Sequence, residues 1–227
     1  GAIKKLYTKV QYLKLTEVSR LTNYENYDLI LCVKGDFLSE RDLDNLKLAK
    51  ARKILYFWDS LSNMRLPPRI FEAFDQIKSF DLVDCRRSGF EFLPLFSSYF
   101  EPTKHKRDYS AYFLGTDHSG RYEFFNRLHR QLKKNGLNPH FHIVTKKWRI
   151  DKYFLNKVAY PNRLTYSQYM KNICNSRVVI DISSPNQTGA SMRCIEALVN
   201  GAGLLTTNEH IKDHDFYDPE VIKTFSL

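Results

Sequence analysis

The sequence predicts an α/β protein built on mainly parallel sheets, arranged as two successive halves. Three observations carry that reading. Strand-sized apolar runs alternate with segments of helical spacing, the rhythm of strand–helix–strand units. The rhythm is interrupted across residues 97–109, where Pro102 and the run Lys104, His105, Lys106, Arg107 intervene, and it then restarts. Several of the apolar runs end in short polar loops, at Gly35-Asp36, Asp59-Ser60 and Gly115-Thr116. Parallel sheets present their ligands at such carboxyl ends. The expected division is residues 1–100 and residues 108–227.

In the first half, residues 3–21 read as a basic helical lead-in and residues 27–34 as the first convincing strand. Ser39 is placed to cap a helix over 39–49. A second strand spans 52–58, and Pro67-Pro68 break the chain before a short helix at 70–74. Further strands are expected at 79–83 and 90–95. In the second half a strand at 112–114 leads through the loop 115–120 into a helix over 121–135. Phe125, Leu128 and Leu132 share one face of that helix, and Gly136 stops it. A strand at 139–144, a helix at 167–175 and a strand at 177–182 follow. A helix over 191–200 then leads into a strand at 203–206. Met192, Ile195 and Val199 are expected to form the core stripe of this last helix.

Composition bounds the function. Hydrophobic residues are 43% and aromatic residues 14% of the 227, enough for a packed core, which excludes a disordered or solvating chain. The longest apolar runs, 29–33 and 177–182, are far short of a bilayer-spanning helix. Cys32, Cys85, Cys174 and Cys194 form no C-x-x-C pair, which argues against a zinc ribbon or disulfide scaffold and for a reducing cytoplasm. The leading Gly1-Ala2 reads as a cleavage scar. With 35 basic against 25 acidic residues the formal net charge is +10. That excess suits an anionic partner: a phosphorylated metabolite, an acidic membrane surface or nucleic acid. It equally describes several solvated basic faces.

The stretch Asp181 to Gly201 carries the most chemistry. A buried strand ends, a polar loop turns, and a helix begins near Ser191. Backbone N–H groups, the positive helix end and the Arg193 guanidinium then converge, a recipe for holding phosphate oxygens. Glu196, one turn deeper, is placed to accept from the vicinal hydroxyls of a ribose. The same residues would also make an ordinary Arg–Glu helix-surface pair. Gly115 to Arg121 forms a second strand-to-helix loop of the same logic. It departs from the P-loop pattern, with Arg121 in place of lysine and Tyr122 in place of the magnesium-binding hydroxyl. Trp58 and Asp59 close a strand where a carboxylate can act as general base, or where Asp59 can cap the next segment. Lys34, Gly35 and Asp36 occupy the matching end of the preceding strand. His140 and His142 alternate on a strand, with no cysteine or carboxylate cluster to complete a metal site.

Four blocks together resemble bacterial glycosyltransferases of the GT-B type that assemble lipopolysaccharide and capsule. They are YDLILCVKGD at 27–36, ILYFWDS at 54–60, FLGTDHSGR at 113–121 and NQTGASMRCIEALVNGAGLLTTN at 186–208; FLPLF at 92–96 fits the same pattern. The resemblance implies two Rossmann-like domains, the N-terminal one incomplete, facing a cleft. It implies a nucleotide-sugar donor, uridine diphosphate-linked, held mainly by the second domain. Gly115, Thr116 and Arg121 would line the diphosphate, with Gln187, Thr188, Gly189, Ser191 and Arg193 doing so from the later loop. Glu196 matches the ribose-binding second glutamate of an E-x7-E pattern, whose first glutamate is replaced by Thr188. Asp59 would be the acceptor-side base, and Lys34, Asp36 and Trp58 would line the acceptor side. The implied acceptor is a surface glycan or its lipid-linked precursor, with peripheral contact at the inner face of the cell membrane. No cofactor, no metal and no nucleic acid are expected. The alternatives are a non-catalytic module that binds a nucleotide-sugar or a partner, and a basic nucleic-acid-binding α/β protein.

Overall fold

The computed structural model describes residues 27–101, 107–117, 120–145, 158–184 and 186–226. The lead-in expected at 3–21 lies outside them. The chain forms two compact units, the first ending at Leu93 and the second beginning at Pro94.

In the first unit β1 (Leu29–Val33), β2 (Arg52–Phe57), β3 (Gln76–Ser79) and β4 (Glu91–Phe92) form a parallel sheet in that order. Helix α1 (Glu40–Leu48) connects β1 to β2, and Ser39 and Asp42 close a reciprocal capping box at its start. Leu43 and Leu46 of α1 pack on Cys32, Leu55 and Phe57, with Ile70, Ala73 and Phe74 completing the core. The strand expected at 79–83 begins earlier, at Gln76, and the chain from Leu82 to Ser88 is the helix α2. Asp81 decides this: its carboxylate accepts from the backbone of Val83 and Asp84 and caps the helix.

The second unit holds a six-stranded parallel sheet of β5 (Tyr112–Thr116), β6 (His140–Val144), β7 (Ala159–Tyr160), β8 (Val178–Asp181), β9 (Gly203–Thr206) and β10 (Ile222–Thr224). The spatial order is β10-β9-β8-β5-β6-β7. The chain therefore winds outward from β5 in one direction, returns to the middle, and winds outward from β8 in the other. Between β5 and β8 lies the reversal where open α/β sheets leave a crevice at their carboxyl ends. Helix α3 (Arg121–Lys134) covers one face through Phe125, against Phe113, Phe141, Ile143 and Ile180. On the other face α4 (Tyr166–Cys174) and α5 (Met192–Val199) bury Met170, Ile173 and Ala197 against Tyr112 and Val179. The expected core stripe of α5 is corrected: Met192 and Val199 are exposed, and Cys194 and Ala197 face the sheet. Small side chains at those positions let the helix backbone lie close to the strands.

Candidate functional site

At the carboxyl end of the first unit's sheet, Lys34 and Gly35 both adopt positive φ, 70° and 75°, and turn the chain sharply out of β1. Glycine is required at 35: any Cβ there would lie 2.6 Å from Ile70 Cδ1. The turn presents Lys34, whose Nζ sits 2.8 Å from Asp59 Oδ2 and 3.7 Å from Asp36 Oδ2. The Asp59 hydrogen bond is the main reason the Lys34 ammonium titrates above its ordinary range. Trp58 stands exposed beside this triad. The structure thus brings Lys34, Asp36 and Asp59 together. It does not give Asp59 the capping role that the sequence left open, because the amide of Leu61 donates to Asp84 instead.

At the second unit's crevice the strand ends part. β5 and β8 share one ladder position, Tyr112 with Val179, and beyond it two arginines bond the carbonyls that a continued ladder would have used. Arg193 Nη2 donates to the Leu114 carbonyl at 2.8 Å, and Arg121 Nη2 to the Ile182 carbonyl at 3.3 Å. Arg193 Nη1 also donates to Asp181 Oδ1 at 2.9 Å, and its guanidinium lies over the Phe113 ring. Here the structure departs from the sequence reading. Arg193 reaches the expected place, but both terminal nitrogens are held by the fold itself, so it braces the crevice wall. Asp181 is the hub of that brace, accepting also from the hydroxyls of Ser183, Ser191 and Thr206.

Arg121 is the first residue of α3, entered through Gly120 at φ 76°. Burial, and then the neighbouring Arg193, lower its pKa from the ordinary value. Two guanidiniums therefore stand close to the Asp181 carboxylate at the switch point. Gly115 ends beside them, and the space a Cβ would take there is filled by the Phe113 ring, 2.6 Å from that position. Across the crevice Ser191 precedes α5 without a side-chain cap, since its hydroxyl is turned to Asp181. The loop before it is pinned by Asn208, whose amide donates to the Thr188 and Gly189 carbonyls, while Gln187 donates to Gly189. Asn208 closes the quoted motif, yet its bracing role has no local sequence signal, because its partners lie some twenty residues back.

Glu196 is 3% exposed, and both its oxygens are occupied. Tyr166 donates to Oε1 at 3.0 Å and Tyr169 to Oε2 at 2.7 Å. Burial raises the pKa of both phenols, that of Tyr169 strongly, so each remains a donor. The i, i+3 spacing of the two tyrosines on α4 was the available signal for this pair. His140 and His142 stack instead on Tyr112 and Tyr160. Among the described residues no group of three or more His, Cys, Asp or Glu is arranged to hold a metal. A groove of about 470 Å³ lined by Phe71, Phe90 and Glu91 lies at the opposite, amino-terminal edge of the first sheet and is not lined by Lys34, Asp36, Trp58 or Asp59.

Residues 121–224 match the sequence profile of a family described as glycosyl transferase-like. No curated protein matches the chain. Among solved structures it is similar to TarM, with a TM-score of 0.59 at 12% identity, covering 93% of this chain and 47% of TarM. It is also similar to the GtfA/B complex, with a TM-score of 0.50 at 10% identity, covering 93% of this chain and 48% of that one. The chain spans about half the length of each. The fold is thus the parallel α/β architecture of GT-B-type glycosyltransferases, as the sequence blocks led one to expect.

Proposed function

We propose that the chain transfers a sugar from a nucleotide-sugar, in its uridine diphosphate form, to a bacterial surface glycan or a lipid-linked precursor of one. The observation that carries this is the pair of arginines at the β5–β8 switch point, Arg121 on the Ile182 carbonyl and Arg193 on Asp181 and the Leu114 carbonyl. A leaving diphosphate develops negative charge as the glycosidic bond breaks, and fixed cations with backbone N–H groups stabilise it without a metal. Arg121, the backbone at Gly115 and Thr116, and the Gln187–Ser191 loop are assigned to the phosphates. Arg193 is assigned to holding the strands apart at the right width. Glu196 is assigned to the ribose, and Asp59 to the acceptor hydroxyl, with Trp58 as an apolar surface for a sugar ring and Lys34 and Asp36 beside it. No described helix is long and apolar enough to cross a membrane; the proposed acceptor would bring the protein to the inner face of one through its basic surface.

The test is a panel of nucleotide-sugars and free nucleotides, measured for binding and for sugar release or transfer. Binding and turnover of a uridine diphosphate sugar are expected. Binding without turnover would favour a non-catalytic nucleotide-sugar module. Absence of binding to every nucleotide-sugar would refute the donor assignment.

A further inference from the structure

We propose that Tyr166 occupies the ribose position in the empty protein, and that a nucleotide must displace its phenol from Glu196 to bind. The inference rests on the donor reading above and deepens it. Glu196 is buried, and a buried carboxylate needs a donor on each oxygen. The two donors it has differ in kind. Tyr169 is packed into the α4 side of the core, beside the wholly buried Tyr112, and its hydroxyl is fixed on Oε2. Tyr166 is the first residue of α4, is 50% exposed, and touches Tyr99 edge-on while its hydroxyl covers Oε1.

Oε1 is therefore the oxygen that changes partners more readily, since the ring that covers it is half exposed, and the exchange gives up the phenol's hydrogen bond with the Ser97 side chain. A ribose hydroxyl is the same kind of donor as a phenol. Exchanging one for the other keeps Glu196 fully bonded throughout, with Tyr169 holding its orientation. The stand-in has a consequence for selectivity. A ligand that brings no hydroxyl to Oε1 leaves the phenol in place, so the competition weakens ribose-bearing ligands alone and narrows the ribo-to-deoxy ratio.

The experiment compares uridine diphosphate with 2′-deoxyuridine diphosphate on wild type, Tyr166→Phe and Tyr169→Phe by calorimetric titration. Tyr166→Phe removes the competitor and should bind uridine diphosphate about three- to tenfold tighter, the range expected from removing part of one charge-assisted hydrogen bond. Its affinity for the deoxy form should rise less, so the ribo-to-deoxy ratio grows. Tyr169→Phe should weaken uridine diphosphate and shrink that ratio. Tyr166→Phe binding uridine diphosphate no tighter than wild type, with the ratio unchanged, would overturn the inference while leaving the donor reading intact. Wild type without affinity for either nucleotide would overturn both.

Discussion

Each unit carries a cation–carboxylate pair at the carboxyl end of its parallel sheet, and the two have nearly the same length. Lys34 and Asp59 meet at 2.8 Å, and Arg193 and Asp181 at 2.9 Å. Their surroundings differ. The first pair has side-chain exposures of 31% and 43%, the second 22% and 1%. Water screens the first, so it contributes little to stability. The second is enclosed, and removing one partner leaves a charge with no water to receive it. Equal distances thus mark two settings: a solvated edge in the first unit and an enclosed brace in the second.

The largest expected effect follows from that contrast. Arg193→Met should lower unfolding stability by about 3 kcal/mol, because Asp181 stays buried with hydroxyl partners alone. Lys34→Met should cost less than about 1 kcal/mol. Chemical denaturation of both variants measures the difference, and equal small losses would break the comparison. Next, Asp59→Asn should reduce transfer about 100-fold, the low end for a general base, with donor affinity unchanged. An unaltered rate would remove Asp59 from the chemistry. Arg121→Ala should weaken nucleotide diphosphate binding about tenfold, at the low end of a lost charge-assisted hydrogen bond. Its fold should be less disturbed than that of Arg193→Met.

The smallest effect concerns pH. Burial lowers the pKa of His140 and His142 in the folded chain below the usual value near 6.5. The unfolded chain therefore binds protons first as pH falls. The stability these residues confer is complete above about 6.5 and is lost as pH drops through their lower folded values. Denaturation midpoints should fall between pH 7.5 and pH 5.5, and His140→Phe should flatten part of that slope.

What the sequence made legible follows from how local each cause is. The capping box at Ser39, the stop at Gly136 and the strand at 203–206 depend on residues within a few positions, and the structure has them there. The helix at 82–88 was missed because Asp81 follows an apolar run that reads equally as a strand end. The site shows the same limit more sharply. The loops after β5 and β8, where the site is proposed, could be read from strand ends and glycines. The bonding of Arg193 could not: its partners are Asp181, twelve residues back, and Leu114, on another strand, and neither is encoded near it. The guanidinium expected at a phosphate bonds Asp181 and the Leu114 carbonyl, where β5 and β8 splay apart. The bonds of Tyr166 and Tyr169 are illegible for a related reason. They reach Glu196 from a helix about thirty residues away, and only the packing of α4 against α5 brings them to it.

The central claim is that the β5–β8 crevice holds a nucleotide diphosphate, with Arg121 as the phosphate ligand and Arg193 as the brace. A crystal structure of the chain with uridine diphosphate tests it most directly. The account predicts phosphates against Arg121 and the backbone of Gly115 and the 187–191 loop, ribose hydroxyls on Glu196, and Arg193 still bonded to Asp181. A nucleotide bound elsewhere, or bound here with Arg193 released from Asp181 onto the phosphates, would contradict it.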